Sequence, residues 1–365
     1  MPDLDEWVAE LEDDRVNREV SWGWQAWVQL GDTVVLDEAR GVDGIRRPLR
    51  TDSLHRLYCV GRPFTAVAIA TLVDAGTVSF ETPLAQVIDG LDGRALGRLT
   101  VAELLSHRGG FEPIGAQTFA VLLEDDRRDA VLSLEPNSPA GPVAAYDEYI
   151  GWFLLGLVIE AATGISWRAY LREAVLAPLG LTDDVFPGFD DDPWLAHGDR
   201  VAVNVDLMTG APVPFLSDGA HYVARQSEPA IGVYASMRGV GGLYTALARC
   251  LDGTDGGIVR SETLAAMTTP ATERGWDVRM RRDAAYGLGF MVGLADHNFG
   301  RNVSAGAFGH GGFRDYGAFF DPTHELIAAI QYVGIIDVER SGGFGREERF
   351  EQLYEQLGLV HAPAR

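Results

Sequence analysis

The 365-residue sequence contains no lysine, so all 30 of its basic residues are arginine. That absence excludes Schiff-base chemistry and a lysine general base, because a guanidinium stays protonated at any ordinary pH. Cysteine is almost absent too. Cys59 and Cys250 are too few for a disulfide framework, no spacing resembles a zinc site, and such usage fits a reducing compartment. Acidic residues outnumber basic ones far enough to leave a formal charge of −23. Nucleic acids and anionic membranes are poor partners for such a chain, since both bind through clustered cations. No apolar run approaches the about 20 residues needed to span a bilayer. The start, "MPDLDEWVAELEDDR", is acidic and lacks the basic and apolar regions of a secretory signal. The expectation is a cytoplasmic protein that acts on a small molecule or another protein, with no cofactor and no metal.

What is present has the 47% apolar content of an ordinary globular chain. After an acidic helix, "WGWQAWVQLGD" and "TVVLDEARGVDG" predict a hairpin joined by Gly-Asp. Helical spacing from Pro63 to about Ala75 ends at Gly76, and "LTVAELLSHRGGFEP" predicts a short helix capped by Thr100 and stopped at Gly109-Gly110. The strongest helical stretch, Glu148 to Leu181, splits at Gly164, with Ser166 capping its second half. From Thr182 the chain reads as irregular surface, where Asp190-Asp191-Asp192 either binds a cation or forms a solvated loop. "SMRGVGGLYTALARCLDG" is another helix, with Cys250 on its apolar side. The end returns to strands, "AYGLGFMVGLAD", "GAFGHGGFRDYGAFFDP" and "HELIAAIQYVGI", then an amphipathic helix. Strands at both ends predict an α+β fold. Its antiparallel sheet comes from residues 20–75 and 280–365, around a mainly helical region at 76–279.

Four stretches in this order carry a resemblance. Cys59 to Ala66 read "CVGRPFTA", and Leu104 to Gly110 read "LLSHRGG". Tyr146 is followed by Leu154-Leu155-Gly156 and by "PLGL" at 178–181, and Gly309 to Gly312, "GHGG", precede Asp321-Pro322. Together, over residues 20 to 340, they resemble the serine β-lactamase-like family: class C β-lactamases, penicillin-binding-protein-like esterases and related acyltransferases. The resemblance implies that fold, and an active site in which a serine attacks while a lysine one helical turn later, helped by a tyrosine, takes its proton. It also implies an oxyanion hole from the nucleophile's own N–H and that of Phe313.

Here the serine position carries Cys59 and the lysine position carries Arg62. The two departures compensate one another chemically, because a thiol has a reference pKa of about 8.5, lower at a helix N-terminus or beside a cation, and its thiolate needs no base. The resemblance then assigns Tyr146 to the leaving-group proton, with Asp147 or Tyr149 as rivals if the register slips. His310 is expected to touch substrate or brace the site, and His107 to brace a loop. Gly311, Gly312, Arg314, Trp152 and Glu148, which stands where the family has asparagine, are the expected substrate contacts. The leading reading is an enzyme that transfers or cleaves an ester or thioester through Cys59, on a small molecule that is free or carrier-bound, as in specialised metabolism. Cofactor-free, non-covalent catalysis in the same cleft is the alternative, and a non-catalytic binding protein is the third. Ordinary β-lactamase activity fits least.

Overall fold

The computed structural model describes residues 3–111, 124–207, 211–253, 257–312, 316–334 and 345–360. Its principal elements begin with α1 (Asp5–Val16), β1 (Gly23–Leu30), β2 (Thr33–Gly41), β3 (His55–Arg56), α2 (Arg62–Asp74), α3 (Val101–Leu105), α4 (Ile150–Thr163) and α5 (Trp167–Leu171). They continue with β4 (Val185–Phe186), α6 (Asp191–His197), β5 (Tyr234–Ala235), α7 (Met237–Leu251), β6 (Gly275–Asp277), β7 (Arg282–Tyr286) and β8 (Met291–Val292). The last four are β9 (Phe308–Gly311), β10 (Gly317–Asp321), β11 (Leu326–Val333) and α8 (Arg346–Gln356).

Eight strands form one antiparallel sheet in the order β2-β1-β11-β10-β9-β8-β7-β6. The two ends of the chain meet one strand in from the β2 edge, where Trp24 pairs with Tyr332 and Ala26 with Ile330. Alternation along β1 sends neighbouring side chains to opposite faces. On one face Gln25 accepts the Met237 N–H at 2.6 Å and Gln29 accepts the Thr245 hydroxyl at 2.8 Å, which docks α7 on the sheet. A Cβ at Gly241 would run into the Trp27 ring, so the glycine sets how closely that helix approaches. Trp24 donates to Glu12 of α1 at 2.8 Å, and α1 is tied to α8 by a bidentate ion pair between Asp14 and Arg349 at 2.7 and 2.8 Å, both side chains fully buried.

Behind the sheet α2 is apolar nearly all round and buried nearly all round, which makes it a core helix with Pro63 in its first turn. The sheet recruits β6 from ahead of residue 280, and α7 of the middle region packs on it. Two local expectations are corrected. The capping box of Thr100 and Glu103 is present, but α3 stops at Leu105, before the glycine pair, because Ser106 bonds back to the Ala102 carbonyl at 2.6 Å and His107 adopts a φ of +59°. Asp191 and Asp192 open α6 instead of an irregular loop, and Asp190 and Asp191 pair with Arg168 and Arg225. Among the described residues no group of three or more His, Cys, Asp or Glu is placed to hold a metal ion. No single described helix is long and apolar enough to cross a membrane.

Candidate active site

Cys59 lies half-buried in a single helical turn, Tyr58–Gly61, that runs directly into α2. The sulfur-bearing residue therefore stands one turn before a helix start, where unpaired backbone N–H groups favour negative charge. The turn is entered through Tyr58, whose φ of +49° lies in the left-handed region. Its hydroxyl donates to Asp218 at 2.7 Å and so helps to hold the bend. Gly312 closes the other side: a Cβ there would meet Val60 at 2.9 Å and the Leu57 carbonyl at 3.3 Å. Gly311 faces the Arg346 guanidinium. The two glycines thus permit close approach of β9 to the cysteine turn and to Arg346.

Arg62 is fully buried between the rings of Tyr146, at 4.7 Å, and Trp152, at 5.1 Å. Its Nε donates to the Ala230 carbonyl at 3.3 Å and its Nη2 to the Glu148 carbonyl at 2.6 Å. Nη1 has no hydrogen-bond partner among the described residues. Burial opposes the charge, but Cys59, Tyr146, Asp147 and Glu228 around it more than restore it and hold the guanidinium above its ordinary value. Arg62 is thus a fixed cation.

The phenol of Tyr146 is near enough to Cys59 for the two side chains to interact electrostatically. Burial pushes its phenol well above the usual tyrosine range; Arg62 opposes that rise and Cys59 adds to it. Its segment is pinned by three bonds: Ala145 N–H to the His107 carbonyl at 3.0 Å, Tyr146 N–H to Asp277 at 3.1 Å, and Asp147 N–H to His107 Nδ1 at 3.1 Å. His107 therefore braces this loop, packed against Tyr146 with ring centres 4.4 Å apart and planes tilted by 31°. Asp147 is occupied elsewhere, accepting the N–H groups of Tyr149, Ile150 and Gly151 at the start of α4. Cys59 acts on the phenols of both Tyr146 and Tyr149, whereas the Asp147 carboxylate is taken up by the backbone.

His310 is buried, and burial, then Arg62, push its imidazole well below its ordinary value. Its Nδ1 faces the Gly311 carbonyl at 2.6 Å, so that nitrogen carries the proton and the ring is neutral. Its ring centre is 6.3 Å from that of Tyr146. One expected substrate contact, Trp152, is corrected. Trp152 is fully buried beneath Arg62 and seats the guanidinium. Glu148 turns its side chain to solvent and contributes its carbonyl to Arg62. Phe313 and Arg314 lie outside the described residues. Sequence reasoning missed Tyr58, Asp218 and the 228–231 turn that receives Arg62. Backbone carbonyls leave no signature in side-chain chemistry.

A thiol at a helix start, with a cation one turn on and a phenol nearby, is the arrangement that the described residues present. The Beta-lactamase family model matches residues 8–332, and the chain belongs to that family. Penicillin-binding protein 4 of Amycolatopsis lactamdurans is 33% identical over 138 residues, which are 36% of this chain and 35% of that protein. The acyltransferase mokF of Monascus pilosus is 24% identical over 311 residues, 72% of each chain. Other relatives are named as esterases and carboxypeptidases. The chain spans only about a third of the length of the first curated relatives it matches. The crystal structure of a penicillin-binding protein homologue from Caulobacter crescentus superposes with a TM-score of 0.77 at 24% identity, covering 97% of this chain and 98% of that one, which shows the fold.

Proposed function

We propose that this chain is an acyl-transfer enzyme that carries the acyl group of a small-molecule ester or thioester, free or carrier-bound, on the sulfur of Cys59. The observation that carries the reading is the placement of Arg62 at the family's lysine position, beside both Cys59 and Tyr146. Relatives named as acyltransferase and esterase support the class.

The thiolate of Cys59 adds to the donor carbonyl. The oxyanion is received by the Cys59 N–H and, by resemblance to the family, that of Phe313. As the carbon–oxygen or carbon–sulfur bond of the donor breaks, Tyr146, kept protonated by burial, gives its proton to the leaving atom, and Arg62 faces the phenolate. An amine acceptor then attacks the thioester, its proton returns to Tyr146, and the thiolate is released. Hydrolysis is slower, because water attacks a thioester less readily than an amine does and the Tyr146 phenolate is the main base left to activate it, the neutral His310 being a weak base and Arg62 none. Transfer to an amine therefore outruns transfer to water.

Intact mass after incubation with acyl thioesters and aryl esters tests this: wild type gains the acyl mass and Cys59→Ala does not. No adduct, together with slow alkylation of Cys59, overturns it. The unpartnered Nη1 of Arg62 favours one second reading, cofactor-free catalysis in which the guanidinium alone stabilises charge on the substrate. In that case Cys59→Ala keeps turnover and Arg62→Ala loses it.

A further inference from the structure

The segment carrying Cys59 is held by one turn distant in sequence, through consecutive carbonyl groups. The Pro229 carbonyl accepts the Thr65 hydroxyl at 3.2 Å, that of Ala230 accepts Arg62 Nε at 3.3 Å, and that of Ile231 accepts Arg56 Nε at 3.2 Å. The Val233 carbonyl takes the Leu57 N–H at 2.9 Å. These contacts bracket the cysteine from three residues before it to six after it. For the carbonyls to face outward, the N–H groups of the same turn have to be satisfied inward.

One residue does this. The Glu228 carboxylate, 4% exposed, accepts the Ala230 N–H at 2.7 Å through one oxygen and the Ile231 N–H at 2.9 Å through the other, while the Glu228 carbonyl takes the Gly232 N–H at 2.9 Å. A Cβ on Gly232 would run into the backbone of Glu228 and the Ser227 hydroxyl, so the turn closes this tightly only with glycine. Arg56, Arg62 and Arg127 surround the carboxylate at longer range. No hydrogen bond between Glu228 and these guanidinium groups is needed for it to act, because its two oxygens are engaged by the backbone.

We propose that Glu228 is a positioning residue for Cys59: it holds the 228–232 turn in the shape whose carbonyls place Arg62 beside the sulfur. The inference rests on the role given to Arg62 above and goes beyond it, since Glu228 acts through the backbone of its own turn. A carboxylate is required because a side-chain amide offers one acceptor oxygen where two N–H donors converge. Aspartate satisfies the same two donors, since its carboxylate commonly caps N–H groups two and three residues on.

The test uses iodoacetamide on the intact protein at pH 7, with Cys59→Ala giving the background from Cys250. Glu228→Gln is expected to slow alkylation of Cys59 by about fivefold, Arg62→Met to slow it similarly, and the double variant to be no slower than either. Glu228→Asp is expected to stay within about twofold of wild type. Wild-type reactivity in Glu228→Gln, or effects of the two changes that multiply, overturns the proposal. Should Glu228→Gln fail to fold, Thr65→Val loosens the same turn from α2, and a loss smaller than that of Arg62→Met is expected. No loss in that variant also overturns it. The probe needs no acyl donor, so a failed acylation experiment leaves this result readable.

Discussion

Replacing Arg62 by lysine would restore the side chain the sequence lacks, and its consequences can be worked from the contacts of the guanidinium. Nε and Nη2 reach two different carbonyls, of Ala230 at 3.3 Å and Glu148 at 2.6 Å. A single ammonium on a shorter stem keeps one of them. Losing a charged hydrogen bond costs about 1.5–3 kcal/mol, so Arg62→Lys is expected to be less stable by about 2 kcal/mol and still folded. The chemical effect is larger. Once Cys59 is acylated, one of the groups that hold a cation charged at this position is neutral, and an amine in that place can take a proton from water, which a guanidinium cannot. General-base assistance is worth about 10²- to 10⁴-fold, and a lysine not shaped to this cavity is expected to fall short of the lower edge, shortening the life of the acyl-enzyme by about tenfold. The assay is to acylate both proteins, remove the donor by gel filtration, and follow the adduct mass with time. Equal lifetimes in wild type and a folded Arg62→Lys would refute the argument that the lack of an amine base at this position prolongs the life of the thioester.

Two further predictions concern stability. Asp14→Ala strands the fully buried Arg349, with Glu10 at 3.4 Å as a partial substitute, and is expected to cost about 3 kcal/mol, read as a lower denaturant midpoint. A cost below about 1 kcal/mol would mean that the pair is replaceable. Asp321 is buried, which opposes ionisation, yet bonds from Ser304, Tyr354 and His324 hold its carboxyl below the ordinary 3.8. Its folded value is depressed, so its contribution is complete above the unfolded value and is lost as pH falls through the folded one. Tyr354→Phe removes the 2.6 Å bond, and acid unfolding should then begin at higher pH; an unchanged acid midpoint would contradict this.

The sheet was legible from both ends because β1, β10 and β11 are dense in β-branched and aromatic residues between Gly, Asn and Asp-Pro turns. Gly164 and Ser166 act as read, a left-handed helix end and an N-cap that accepts the Ala169 N–H. The site was legible where family order supplied the positions, as for Cys59, Arg62 and Tyr146. It was illegible where a side chain acts through the backbone, as with Glu148, or where burial overrides type, as with Trp152, whose indole reads in sequence like a ligand surface. The 228–231 turn had no signal at all, since "SEPAIG" is an ordinary loop until its carbonyls are seen to face Arg62.

The pairing of β1 with β11 has a consequence for synthesis of the chain on the ribosome. The first strand completes at Leu30, but its partner begins at Leu326, so the hairpin waits for about 300 residues to be added. At about 5–20 residues per second the delay is about 15–60 s. For that time Ala26 and Val28, destined for a strand inside the sheet, lack the neighbour that covers them, and the α1 face has no α8 to pair with. A pause late in translation therefore lengthens the time the hairpin stands without its partner strand, which a pause before residue 30 does not.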